Sequence, residues 1–348
     1  MTDDLLGKIF YHLCEPGPLA LRYLLLVSRH FYSFTVNNAH LWTTISLDSH
    51  FFHHFNQWPE QGNKFVEHCL LRSGSLPLRL YMAFSGLNAR ELIFLLHPLE
   101  TFGKPEWRGF QRCTSLMWDA DGHRWTMTQR FVDLLPKTLP SLKHISLSHF
   151  QNIPGGYQFP QCPLLERVGM FDHLISFHEF WGPNFHRVTA LSFGHIHRWT
   201  EYDLDTLSLF PVLYDLTIFS LRRATASASV DYHPPEILKH LRILRVHGYI
   251  PPAVLAKLMV PALEELHLKA DIDSITSIEA LHKSFNPLCQ HIHALLPEAV
   301  SATEPEWATG LSNLVRKCTR IRSLYISKWM EKECEILMAG LSVVLHVH

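Results

Sequence analysis

One short apolar signature, L-x-x-L-x-L in relaxed form, returns along the chain and limits the possible folds more than any other feature. It reads LKHISL from Leu142, LERVGM from Leu165, VTALSF from Val188 and LYDLTI from Leu213. It continues as LRILRV from Leu241, LEELHL from Leu263 and IRSLYI from Ile321. A weaker copy, CTSLMW, starts at Cys113, and PLRLYM from Pro77 reads as an irregular first strand. The central apolar positions are Leu116, Ile145, Val168, Leu191, Leu216, Leu244, Leu266 and Leu324, spaced 29, 23, 23, 25, 28, 22 and 58 residues apart. The last spacing is twice 29, as if one unit had lost its strand or become a helical insertion. Residues 270–312 carry no clear strand, and Ile278 to Phe285 and Cys289 to Leu296 read as helices, so the insertion is placed there.

A second mark travels with the first. Proline stands two residues before the leading apolar residue at Pro140, Pro163, Pro211 and Pro261. Proline is 21 of 348 residues, so eight such sites would hold roughly 0.5 by chance, and four identify a true repeat. Its ring ends the preceding segment and favours an extended residue before it. The chain then runs as a short strand, with two paired apolar side chains pointing inward.

Repeats of 22–29 residues with one short strand each have the leucine-rich-repeat period. Parallel strands need crossovers, and Thr128 to Leu135, Leu204 to Leu209 and Ala253 to Met259 read as short helices that supply them. The expected fold is α/β: a small helical module followed by a solenoid, with a curved parallel sheet and irregular helices on its convex side. The expected divisions are a helical module at 1–48, a helical linker at 49–76 and a degenerate repeat domain at 77–348.

The helical module rests on a different period. Leu5, Leu6, Ile9, Phe10 and Leu13 recur at helical spacing. Pro16-Gly17-Pro18 ends that helix and starts a second one, expected from about Leu19 to Val36. A polar break at Asn37-Asn38 precedes Leu41-Trp42. So few residues bury too little to be stable alone, and the module should lean on the repeats or on a partner.

Composition narrows the function classes. Lys plus Arg is 31 and Asp plus Glu is 32, a net charge of −1, which argues against nucleic-acid binding through bulk positive charge. Hydrophobic residues are 47% and charged residues 18%, enough apolar material for a sizeable core. The seven cysteines are widely spaced without a C-x-x-C, so they read as buried thiols in a reducing compartment. MTDDLLGKIF has no basic start and no long apolar run follows it, which predicts neither secretion nor a membrane span. The expected location is the cytoplasm, the nucleus or both. Histidine is abundant at 25 residues, in pairs such as His195/His197 and His291/His293. None has a cysteine at ligand spacing, so they read as scattered histidines rather than a metal site. There is no G-x-S-x-G and no H-E-x-x-H. Gly155-Gly156 reads as a turn and Arg222-Arg223 as a solvated loop. The chain is expected to be non-catalytic, with no cofactor.

The first 47 residues resemble an F-box. The matching positions are Asp4, Leu5-Leu6, Ile9-Phe10 and Leu13, then VSRHF from Val27 and LWTTISL from Leu41. Where the family has an early proline, this chain has Thr2. The stretch FVEHCLLRSGSLPLRL from Phe65 is similar to the segment that joins F-box to repeats in a large family of mushroom-forming fungi. The resemblance implies the substrate receptor of an SCF-type ubiquitin ligase. The F-box would bind a Skp-type adaptor, and through it a cullin, by Leu5, Leu6, Ile9, Phe10, Leu13, Pro18, Leu24, Val27, Leu41 and Trp42. The repeats would bind a protein target and act by proximity, without chemistry of their own. The alternative is a repeat scaffold with no ligase role, its helices serving only as a cap.

Strand alternation points to where a target would sit. The residues beside the inward apolar pair face the other side of the sheet. The row after the third apolar position holds Phe171, Gly194, Phe219, His247 and Lys269. The middle row adds Thr217, Arg245 and His267, and the first row adds Arg167, Asp215 and Glu265. Phe171 and Phe219 are expected roughly 10 Å apart, as two aromatics flanking a shallow spot fit for a partner's anchor side chain.

Overall fold

The computed structural model describes residues 3–14, 19–55, 59–83, 89–119, 131–148, 158–171, 182–194, 207–220, 238–248, 259–269, 323–326 and 344–347. The chain divides into two compact units, Met1–Gly169 with Ile175–Asn184, and Met170–Leu174 with Phe185–His348.

The first unit opens with α1 (Asp3–Cys14), α2 (Leu19–Val27) and α3 (Arg29–Asn37). A single second helix was expected, and the structure divides it at Ser28. That residue is extended, with φ −160° and ψ 163°, and its hydroxyl accepts the Phe31 N–H at 3.1 Å. Serine competes with the helix for backbone groups and so caps the next segment. The break folds α3 back so that Phe31 and Phe34 meet Phe10 edge-on, at 5.0 and 5.5 Å.

A 3-10 turn (Ala39–Trp42) then leads into β1 (Thr44–Leu47). Helices α4 (Ser49–Phe55) and α5 (Pro59–Arg72) carry the chain to β2 (Leu78–Ala83), which pairs with β1 in parallel. Residues 49–76, expected as a linker, thus form the crossover between two sheet strands. Asp48 caps α4 by accepting the Phe51 N–H at 2.9 Å. Gly74 ends α5 with φ +57°, the left-handed geometry that glycine adopts without penalty. The helices α6 (Ala89–Gly103) and α7 (Gly109–Arg112) lead to β3 (Cys113–Asp119), and β4 (His144–Ser148) follows. β2, β3 and β4 add in sequence, all parallel. β5 (Arg167–Phe171) begins beside β4, where the N–H groups of Glu166 and Arg167 both donate to the Lys143 carbonyl.

The second unit continues the pattern with β6 (Ala190–Gly194), β7 (Asp215–Ser220), β8 (Ile243–Gly248), β9 (Glu265–Lys269), β10 (Ser323–Ile326) and β11 (Val344–Val347). Each strand pairs in parallel with the next. The architecture is an open, solenoid-like α/β fold with an all-parallel sheet. β1 and β11 carry no full signature and were not expected as strands. The proposed insertion at 270–312 lies outside the described residues, as do residues 128–130, 204–206 and 253–258 of the helices expected at 128–135, 204–209 and 253–259.

The register confirms the repeat alignment. Leu116 pairs with Ile145 in the first unit, and Leu191, Leu216, Leu244, Leu266 and Leu324 lie in one row of the second. β9 pairs directly with β10, so the 58-residue spacing separates two neighbouring strands. The strands β4 to β9 start from the same turn. The N–H of Leu142, Leu165, Val188, Leu213, Leu241 and Leu263 donates to the carbonyl three residues earlier, at 3.1–3.3 Å. Those carbonyls belong to Leu139, Cys162, Phe185, Phe210, Leu238 and Val260, all buried. Pro140, Pro163, Pro211 and Pro261 occupy the second turn position, where a fixed φ and a missing N–H cost nothing. The proline is therefore a turn residue rather than only a helix stop. Buried side chains at the turn, the leading position and the strand form the layered core.

The helices are fastened to this sheet inside the first unit. Trp42 donates its indole N–H to the Thr35 carbonyl at 2.8 Å. The Arg72 guanidinium lies over the Trp42 ring and donates to the Val36 carbonyl at 3.3 Å. Arg79 of β2 donates to the Tyr11 hydroxyl at 3.1 Å. A fragment of residues 1–48 therefore loses β2, Arg72 and Arg79 together. It should show no cooperative thermal transition by circular dichroism, and a sharp transition would contradict this packing. In the full chain, Leu216→Ala should cost about 2–5 kcal/mol by chemical denaturation, whereas Leu26→Ala on the exposed face should change stability by less than about 0.5 kcal/mol.

Candidate functional site

Two surfaces, one in each unit, gather the residues singled out from the sequence. The first is the outer face of α1 and α2. In α1 the apolar residues come as neighbours, Leu5-Leu6 and Ile9-Phe10. Neighbours on a helix lie about 100° apart, so one of each pair can face the core and the other cannot. Leu6 and Phe10 go inside, with Leu41 and Trp42, each 3% exposed or less. Leu5, Ile9 and Leu13 form an outward stripe, 48%, 39% and 51% exposed. Val27 is exposed, Leu24 is half-buried, and Pro18 lies outside the described residues.

This placement splits the expected adaptor set. Leu6, Phe10, Leu41 and Trp42 are interior, so truncating them tests the module's folding rather than a contact. Tyr23, Leu26 and Tyr32 are exposed apolar residues that sequence reasoning passed over, Leu26 at 83%. The signal was present in LALRYLLLV, which is apolar nearly all round although a surface helix needs only one apolar stripe. Contiguous exposed apolar patches mark interaction surfaces, and α1, α2 and α3 each carry large exposed apolar side chains.

The second surface is the outer side of β7, β8 and β9. Asp215, Ile243 and Glu265 share one register row, Thr217, Arg245 and His267 the next, and Phe219, His247 and Lys269 the third. The Asp215 carboxylate pairs with the Arg245 guanidinium. Glu265 reaches the His267 Nε2 at 3.2 Å. These pairs are partly exposed and contribute little stability. Thr217 is buried. Phe219 is only 4% exposed and lies stacked on the His247 ring, centroids 4.6 Å apart. The expected aromatic anchor at Phe219 is therefore corrected: its ring is covered, and the imidazole forms part of the cover. Gly194 ends β6. The side chains of Phe171 and Lys269 lie outside the described ones. Arg167, in the first unit, is half-buried near His144.

Two histidines on the sheet are held neutral. Burial lowers the His267 pKa, Arg245 adds to the effect, and the Glu265 hydrogen bond opposes it. Burial also lowers the pKa of His144, with the Arg167 charge adding to it. Burial raises the thiols of Cys69, Cys113 and Cys162, the last two to about 12. They are therefore neutral and poor nucleophiles. Among the described residues, no group of three His, Cys, Asp or Glu side chains could hold a metal ion, and no helix is long and apolar enough to cross a membrane.

No family model matches this chain, and no curated protein matches it.

The histidine shifts give a pH prediction. A folded pKa below the unfolded 6.5 means that the unfolded chain binds more protons as the pH falls. The stability is full above pH 6.5 and declines as the pH drops through the folded values. Denaturant midpoints at a pH of about 7.5 and about 5.5 should show the acid loss reduced in His144→Gln plus His267→Gln. An unchanged loss would contradict the placement of these two rings.

Proposed function

We propose that the chain is the substrate receptor of an SCF-type ubiquitin ligase, working in the cytoplasm or nucleus. A Skp-type adaptor seats on α1 and α2, a cullin joins through the adaptor, and the sheet receives the target protein. The observation that carries this reading is the exposed stripe Leu5, Ile9 and Leu13 on α1, together with Leu26 and Val27 exposed on α2. It stands on the same residues whose order resembles the F-box pattern. A partner's groove that takes an amphipathic helix face would cover this apolar surface. Holding a target near the ligase's ubiquitin-loaded enzyme needs no catalytic group on this chain, only two binding surfaces on one body.

The second reading is a repeat scaffold without a ligase. It is favoured by the bonds from Trp42, Arg72 and Arg79 that attach the helices to the sheet, as an end cap would be attached. One experiment separates the two. Leu5→Glu, Ile9→Glu and Val27→Glu together should weaken adaptor binding at least about 100-fold, or roughly 2.7 kcal/mol, in calorimetry or pull-down. Circular dichroism should remain that of the parent, because all three are exposed. A folded parent chain with no adaptor affinity, or a variant that binds as the parent does, would leave the scaffold reading.

A further inference from the structure

The turns that start β7 and β8 leave a small pocket between them, of about 210 Å³. Its floor is apolar: Leu207, Phe210, Leu213 and Leu238 line it, and all four are buried. Its rim is basic. Lys239 and His240 line it from the middle of the Leu238–Leu241 turn, and both are exposed. No carboxylate stands among the described residues that line the pocket. Nearby on the same turn edge Arg242 is matched by Glu264 at 3.3 Å and lies over the Tyr214 ring. Lys239 and His240 make no ion pair with a described residue.

Hydrogen bonds fix both walls. The Phe210 N–H donates to the Leu207 carbonyl and the Leu213 N–H to the Phe210 carbonyl, both at 3.1 Å. In the other wall the Leu241 N–H donates to the Leu238 carbonyl at 3.3 Å, and the Leu238 N–H to the Met259 carbonyl at 2.9 Å. The ring of Pro211 stiffens the first wall further. The pocket therefore exists before a ligand arrives, which lowers the entropic cost of binding. Its volume of about 210 Å³ is below the roughly 300–1,000 Å³ of a site that encloses a small molecule. It suits a single inserted side chain. Val212 and Tyr214, on either side of Leu213 in the sequence, are exposed and offer further apolar contact.

We propose that this pocket takes one apolar side chain from a partner protein, in a segment where acidic residues flank that side chain. The floor removes the side chain from water, and the flanking carboxylates meet the Lys239 ammonium and the His240 imidazole. An exposed cation gains little from a carboxylate while water reaches both, and the apolar anchor beside them keeps water out. The two basic groups then select among the segments that could offer such an anchor. A nucleic acid fits less well, because a phosphate backbone needs a run of cations rather than two beside an apolar hole. The pocket belongs to the second unit and uses no residue of α1 or α2, so the proposal holds whether or not an adaptor binds there.

The test uses the full chain and fluorescein-labelled peptides, followed by anisotropy at low salt. The probe has a central leucine with two glutamates on each side. One control peptide has serine in place of the leucine, and another has glutamines in place of the glutamates. The expected result is saturable binding of the probe and at least about tenfold weaker binding of both controls. Lys239→Glu plus His240→Glu should weaken the probe at least about tenfold, with circular dichroism unchanged because both side chains are exposed. Lys239→Gln plus His240→Gln should give a smaller loss in the same direction. Lys137→Glu changes net charge in the first unit and should bind as the parent does. Absence of saturable binding of the probe, equal affinity for the probe and either control peptide, or parent-like binding by both double variants would overturn the proposal. So would a single-stranded RNA that displaces the probe at lower concentration than the unlabelled peptide, because it would assign the pocket to another class of ligand.

Discussion

Every described repeat from residue 139 to 266 depends on one hydrogen bond, donated by the leading apolar residue to the carbonyl three positions back. It closes a turn whose first and last side chains are both buried, so backbone satisfaction and apolar burial are achieved together. At β7, β8 and β9 the next two N–H groups then reach the carbonyl of the residue just before the preceding strand. Tyr214 and Asp215 share Thr189, Arg242 and Ile243 share Tyr214, and Glu264 and Glu265 share Arg242. The turn thereby sets the strand's register, and the register decides which side chains are core. A one-residue slip would exchange Leu216 and Leu244 for Thr217 and Arg245 in the interior.

This dependence explains why the repeats were legible and the outer elements less so. Leu191, Leu216, Leu244, Leu266 and Leu324 were aligned from spacing alone, and the strands pair in that alignment. β1 was missed because Trp42-Thr43-Thr44 offers no turn proline and no leading leucine at the usual offset. Its start is fixed instead by the Thr43 carbonyl accepting the Arg79 N–H at 2.8 Å. The division at Ser28 is hidden because an apolar run precedes it and Phe31 and Phe34 follow it at helical spacing, so the period continues across it. The N-cap that ends the period is a single hydroxyl. Phe219 was misplaced because strand alternation gives the side of the sheet but not what lies over it.

The candidate surfaces follow the same division. Periodicity identified the α1 residues but could not tell Leu5 from Leu6 or Ile9 from Phe10, since each pair fits one broad stripe. The packing of Phe31 and Phe34 against Phe10 decides it. The consequence for function is direct. The interior residues hold the module together and the exterior ones remain for a partner. The module is itself joined to the sheet through Trp42, Arg72 and Arg79. A partner on the helices is thus connected to the first strands of the repeats by hydrogen bonds rather than by a flexible tether.

The central proposal is that the exposed residues of α1 and α2 would seat a Skp-type adaptor. Hydrogen–deuterium exchange of the full chain, alone and with a Skp-type adaptor, tests it most directly. The account predicts slower exchange on complex formation in peptides covering residues 3–14 and 19–27, with the strands of 207–269 unchanged. Protection confined to 207–269, or none anywhere despite saturating adaptor, would contradict it.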